Sequence, residues 1–223
     1  MKKIGLFGGT FNPIHYGHLR AAEETGEAFG LERVIFIPSC YPPHKETKEI
    51  APSFLRVEMV RLAIADNPHF SLSEVELQRQ GKSYSVETIW HFRKLFAPEA
   101  ELYFILGLDA FLEIGTWKEY AALFHLCHFM IMTRPGGEKI FSREHLPVEL
   151  VENFCYDEKK RAYVHDSGFC IFPVEITALD ISATKIRQHL QKGRSVKYLL
   201  PPPVEAFIYK NKLYQTEASE SAG

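Results

Sequence analysis

The chain has 223 residues, with 26 Lys and Arg against 28 Asp and Glu, a net charge of −2, and 46% hydrophobic residues. That length suits one domain, or one domain with an appended piece, able to bury roughly 70% of its unfolded surface without staples. The balance excludes bulk disorder and nucleic-acid binding through overall positive charge.

The four cysteines, Cys40, Cys127, Cys155 and Cys170, form no CxxC pair, which points to a reducing compartment rather than a disulfide scaffold. The apolar run after Met1 is too short for a signal peptide, and no window offers about 18 uncharged apolar residues. The expectation is a cytoplasmic protein with no membrane and no nucleic-acid partner.

Ile4 to Phe7 reads as a buried strand ending in Gly8-Gly9. From Gly17 the pattern is helical, with Leu19, Ala22, Gly26 and Phe29 on one face and Gly30 at the C-cap. Val34 to Ile37 is a second buried strand, stopped by Pro38. A proline-rich loop fills 38–52. Ser53 is placed to cap a helix with the stripe Phe54, Val57, Val60 and Ile64. Phe70 to Leu77 alternates like a strand. Residues 85–96 form a helix with Val86, Ile89, Trp90 and Phe96 on its apolar side. Leu102 to Leu106 is another buried strand, followed by short helices near 109–115 and 118–125. Phe129 to Met132 is the next strand.

The stretch 134–167 is more polar and reads as an insertion or lid-like connection, with a solvated charged turn at 157–161. Phe169 to Val174 is a late strand. Ser182 to Gln191 is a helix, Pro201-Pro202-Pro203 a rigid connector, and 204–213 a last helix. The tail 215–223 is polar enough to be disordered. Strands alternating with helices predict a Rossmann-like α/β fold. Its open parallel sheet has helices on both faces and a short helical C-terminal part. The expected division is 1–180 for the main domain and 181–214 for the helical segment.

Two segments carry chemistry. Gly8-Gly9-Thr10-Phe11-Asn12-Pro13-Ile14-His15-Tyr16-Gly17-His18 joins the first strand to the first helix. Glycines let backbone N–H groups approach a phosphate, and the helix N-terminus adds partial positive charge. His15 and His18 are three apart and share a face. They lack the HExxH zinc pattern and a nearby third ligand, so phosphate fits better than metal. There is no GxxxxGK[ST] and no GxGxxG, which disfavours P-loop NTPases and dinucleotide dehydrogenases. The second segment, Ile181-Ser182-Ala183-Thr184-Lys185-Ile186-Arg187, offers an N-cap Ser, with Thr184 and Arg187 on one face. The histidines and cysteine at His125, Cys127 and His128 read as packing. Arg56 reads equally as a ligand group or a surface ion-pair partner.

GGTFNPIHYGH with ISATKIR resembles the nucleotidyltransferase superfamily, with its (T/H)xGH and ISSTxxR motifs. The segments PSCYPPHK, SYSVET, GLD and Trp117-Lys118 are more specifically similar to bacterial nicotinate-nucleotide adenylyltransferases. The likeness runs from about residue 4 to residue 213. It implies transfer of AMP from ATP to nicotinate mononucleotide, without a protein nucleophile, giving nicotinate adenine dinucleotide and pyrophosphate. ATP is a substrate, and Mg²⁺ is bound through its phosphates, with no metal ligand from protein side chains.

By that resemblance His15, His18, Arg187 and Lys45 are catalytic. Gly8, Gly9, Thr10, Phe11, Ser182 and Thr184 join His15, His18 and Arg187 in holding ATP. Tyr84, Ser85, Thr88, Gly107, Asp109 and Trp117 hold the second substrate, with Trp117 stacked on the pyridine ring. Asn12 stands where relatives often carry Asp, and Ala183 where the motif often has a second Ser. The alternatives are adenylyl transfer to phosphopantetheine or to nicotinamide mononucleotide, and a nucleotide sensor without turnover. Monomer and homo-oligomer remain equal readings.

Overall fold

The computed structural model describes residues 1–40, 50–79, 81–133, 141–177 and 179–215. In chain order the helices and strands are β1 (Lys2–Gly9), α1 (Tyr16–Phe29), β2 (Arg33–Pro38), α2 (Ser53–Ile64), β3 (Phe70–Leu72) and α3 (Ser85–Phe96). They continue as β4 (Ala100–Gly107), α4 (Leu108–Leu112), α5 (Tyr120–Leu123), β5 (His128–Thr133), β6 (Phe154–Asp157), β7 (Ala162–His165), β8 (Cys170–Glu175), α6 (Ala183–Gln191) and α7 (Pro202–Lys210).

The strands form one sheet in the order β3-β2-β1-β4-β5-β8-β7-β6. From β3 to β8 neighbours are parallel, and β7 and β6 extend the sheet antiparallel. Alternate strand residues enter opposite cores. Leu6, Ile35, Phe104 and Phe129 pack with α3, α4 and α5. Phe7, Phe36, Ile105 and Met130 pack with α1, α2, α6 and α7. Parallel strands buried on both faces read as continuous apolar runs, which is why β1, β2, β4 and β5 were plain in the sequence.

Helix α1 ends as expected: Gly30 takes φ 60° and its N–H donates to Gly26 and Glu27 carbonyls. That left-handed turn is cheap only for a residue without Cβ. Among the described residues, no helix is long and apolar enough to cross a membrane.

Several expectations are corrected. The strand drawn from Phe70 to Leu77 stops at Leu72. The chain then turns, with the Leu77 N–H donating to the Glu74 carbonyl, so adjacent Val75 and Glu76 are both buried. Pro52, not Ser53, occupies the N-cap of α2. Phe54 and Trp90 are exposed rather than core, and Phe92 turns inward on α3. The two short helices are shorter than drawn, because a 3-10 turn at Ile114–Thr116 separates them.

The described part of 134–167 is more regular than its polar sequence suggested. It holds two 3-10 turns and then the β6–β7 hairpin. The charged run does form the hairpin turn, with Asp157 Oδ1 accepting from the Lys159 and Lys160 N–H groups. Pro202 and Pro203 open α7 rather than connect to it, where a missing N–H costs no helical bond.

Candidate active site

Strand β1 leads outward through α1 to β2 on one side. The chain returns through α3 to β4 on the other side of β1. Such a switch point leaves a crevice at the carboxyl ends of the two strands, where ligands of open α/β sheets bind. A cavity of about 520 Å³ opens there. Its wall includes Phe7 of β1, His15, Gly17 and His18 at the start of α1, Gly107 at the end of β4, Asp109 of α4, Thr133 of β5, and Ile181 and Ser182 before α6.

His15 is the N-cap residue of α1 and is 6% exposed. Its backbone N–H donates to His18 Nδ1 at 3.3 Å, and the two ring centroids are 3.8 Å apart. Phe11 backs the pair, edge-on to the His18 ring at 5.2 Å. A Cβ at Gly17 would lie 3.0 Å from His15 Cε1 and Nδ1, so glycine is what lets the ring lie against the backbone.

The second helix N-terminus faces the same cavity. Ser182 Oγ caps α6 by accepting from the Lys185 N–H at 3.2 Å. Arg187 Nη1 donates to the Asn12 carbonyl at 2.9 Å, and Nη2 lies 3.4 Å from Thr184 Oγ1. Two imidazoles, the Ser182 hydroxyl and the N-termini of α1 and α6 border one space, a donor set for phosphoryl oxygens, while Arg187 and Thr184 lie farther along α6 and are not part of its wall. Among the described residues, no cluster of three or more His, Cys, Asp or Glu side chains is arranged to hold a metal.

Comparison with known proteins agrees with this chemistry. The cytidylyltransferase-like family model matches residues 6–189. A protein of Geotalea uraniireducens described as "probable nicotinate-nucleotide adenylyltransferase" is 46% identical over 212 residues, 95% of this chain and 98% of that one. The chain belongs to the nicotinate-nucleotide adenylyltransferases of the cytidylyltransferase-like family. A relative from Pelobacter propionicus with the same description is 48% identical over 212 residues, again 95% and 98% of the two chains. The solved Plasmodium falciparum nicotinic acid mononucleotide adenylyltransferase complexed with NaAD has a TM-score of 0.74 and 19% identity. It covers 96% of this chain and 98% of its own, and at that identity it shows the shared fold.

Of the remaining expected residues of this nicotinate-nucleotide adenylyltransferase chain, Tyr84, Ser85, Thr88 and Trp117 lie outside the wall of the cavity. The Phe104 ring lies next to Gly8, and Trp117 sets its ring edge-to-face on Phe104 at 6.3 Å. Trp117 therefore packs against the core on the α3 side of the sheet and is not in the wall of the cavity. Tyr84 is the N-cap residue of α3, followed by Ser85. The Lys118 ammonium sits 4.7 Å from the Tyr84 ring centroid and 2.7 Å from Glu87 Oε1. Thr88 is 2% exposed; its hydroxyl donates to Glu76 Oε1 at 2.7 Å and accepts from Arg79 at 3.0 Å. Burial pushes the Glu76 carboxyl up from its ordinary value, opposed by hydrogen bonds from Thr88 and Ser83 and by the charge of Arg79. Lys45 lies outside the described residues.

Arg56 is neither a surface ion-pair partner nor a ligand group. It is 1% exposed. Its guanidinium donates to four backbone carbonyls, those of Thr10, Ser39, Cys40 and Ala51, at 2.7 to 3.1 Å. One arginine thus joins the glycine turn to the segment after β2 and the start of α2. Tyr214, unremarked in the sequence, donates from its hydroxyl to Asn12 Oδ1 at 2.6 Å. The apolar residues before it, Ile208 and Leu213, gave no hint of that contact.

Proposed function

We propose that the chain transfers AMP from ATP to nicotinate mononucleotide, giving nicotinate adenine dinucleotide and pyrophosphate, by direct in-line attack. The observation that carries the reading is the convergence of the HxGH imidazoles and the Ser182-capped helix on one crevice at the β1/β4 switch point.

A phosphate oxygen of the mononucleotide attacks the α-phosphorus of ATP. The bond from that phosphorus to the bridging oxygen breaks, and its electron pair leaves with pyrophosphate. Negative charge grows on the transferring group and on the leaving group. His15 and His18 donate to the first, and Arg187, Thr184 and the α6 N-terminus receive the second. The backbone of Gly8, Gly9, Thr10 and Phe11 lets the chain of phosphates lie close to β1. Residues 181–214 thereby complete the ATP site. Mg²⁺ brought in as part of the ATP substrate would offset phosphate charge.

Asp109 and Gly107 border the cavity where a ribose hydroxyl needs an acceptor. Tyr84, Ser85, Trp117 and the N-terminus of α3 supply an aromatic face and N–H donors for the nicotinate ring and its carboxylate. All four cysteines are free thiols, which suits a cytoplasmic location.

Two measurements test this reading. Mass analysis of the product from ATP and nicotinate mononucleotide supports it if the dinucleotide forms. Transfer from a stereochemically defined α-thio analogue of ATP supports single displacement by inversion at phosphorus. Retention contradicts it and requires a covalent intermediate.

A further inference from the structure

Asn12 lies between the glycine turn and the first histidine and is 6% exposed. Three remote parts of the chain meet on it. Its Oδ1 accepts from the Ala51 N–H at 3.1 Å and from the Tyr214 hydroxyl at 2.6 Å. Its carbonyl accepts from Arg187 Nη1 at 2.9 Å. The side chain is thus held from two directions, and the carbonyl of the same residue orients the arginine of the phosphate site.

Tyr214 is held firmly for this task. It follows α7, packs against the core shared by α1, α2, α6 and α7, and has φ 60°. A side chain of that size adopts the left-handed region only where its surroundings impose it. Burial pushes its hydroxyl up from the ordinary value, while the charges of Arg56 and Arg187 act in the opposite direction. The group therefore stays a protonated donor at working pH, and both cations lie near enough to sense it.

From this geometry we infer that Tyr214 is a positioning residue for adenylyl transfer: through Asn12 it fixes the turn after β1 and the register of Arg187. Nothing about the acceptor enters the argument; it rests on the proposed reading only in taking this crevice as the ATP site. Asn12 suits the role because one amide oxygen serves two donors. An aspartate there would accept the same two bonds beside Arg56 and Arg187.

The test is a coupling cycle on the full chain. Tyr214→Phe keeps the ring and removes one hydroxyl. It is expected to lower kcat roughly ten-fold, as a misplaced reacting group does, with little change in acceptor KM or melting temperature. Asn12→Ala is expected to lose at least as much, and Asn12→Asp to retain most of the activity. Tyr214→Phe added to Asn12→Ala is expected to cost nothing further, because the bond is already gone.

Equal losses from Tyr214→Phe in both backgrounds overturn the inference. So does a Tyr214→Phe enzyme with unchanged kcat, or one whose loss tracks only a fall in melting temperature. Turnover is read as pyrophosphate release with whichever acceptor the unmodified chain uses. A failure of nicotinate mononucleotide in that chain is thus a failure of the proposed function, not of the coupling. ATP-induced rise in melting temperature gives a second readout, expected to shrink in Tyr214→Phe and to stay shrunken, not smaller still, in the double variant.

Discussion

The His15 N–H donates to His18 Nδ1, and this one bond sets the chemistry of the second histidine. A neutral ring that accepts at Nδ1 carries its hydrogen at Nε2. The backbone thus hands the cavity an Nε2–H donor, with the His15 ring 3.8 Å away as its companion. Donors fixed before the reaction need no rearrangement as phosphoryl charge develops. His18→Ala is expected to lower kcat by roughly 10²–10³-fold, the scale of losing one such donor. Steady-state kinetics with saturating ATP check this. A loss confined to KM would show that His18 only binds.

Gly17 offers a cleaner probe of the same pair. A methyl group there meets the His15 ring at 3.0 Å, while a helix favours Ala over Gly by up to about 1 kcal/mol. Gly17→Ala is therefore expected to hold or raise the melting temperature while lowering kcat roughly ten-fold. Parallel losses of stability and activity would contradict the assignment of Gly17 to ring clearance.

Arg56 is expected to matter most for stability. Its removal strips the donor from four carbonyls at once, and an unsatisfied buried polar group costs about 1–3 kcal/mol. Arg56→Met should destabilise by about 3 kcal/mol or more, measured by urea unfolding. A change below about 1 kcal/mol would mean that water replaces the guanidinium.

His128 predicts a pH dependence far from the active site. It stacks on Tyr103 at 4.9 Å, and its Nδ1 accepts from the Cys170 N–H at 3.1 Å. Burial pulls its imidazole down from the ordinary value; Lys160 and Lys3 add to this and Glu101 opposes it. Protonation in the folded state also forfeits the bond from Cys170. The unfolded chain therefore binds the proton first as pH falls, and the stability this group confers is present above about 6.5 and declines below it. Unfolding free energies at pH 7 and pH 5 should show a smaller difference in His128→Phe than in the unmodified chain. An unchanged slope would assign the acid sensitivity elsewhere.

The sequence made the crevice legible because both of its walls are local. A buried strand ending in glycines, an HxGH step into a helix, and a Ser cap three residues before Lys185 are all short-range patterns. What escaped was long-range. Arg56 looked like any helix-surface arginine, since nothing in α2 shows that four carbonyls converge on it. Tyr214 reaches Asn12 across 202 positions, beyond any periodicity. The β6–β7 hairpin escaped because its short strands carry exposed Cys155 and Tyr156 and a charged turn, and so lack an apolar run. Thr88 resembled a pocket residue, yet its hydroxyl serves Glu76 and Arg79 inside the protein.

The central claim is tested most directly by pyrophosphate release with ATP and Mg²⁺, offering nicotinate mononucleotide, nicotinamide mononucleotide and phosphopantetheine in parallel. The account predicts strong preference for nicotinate mononucleotide. Preference for another acceptor would keep the phosphate chemistry of His15, His18 and Arg187 but contradict the pocket built from Tyr84, Ser85 and Trp117. No release with any acceptor, from folded chain that binds ATP, would contradict the enzyme itself and leave a nucleotide sensor.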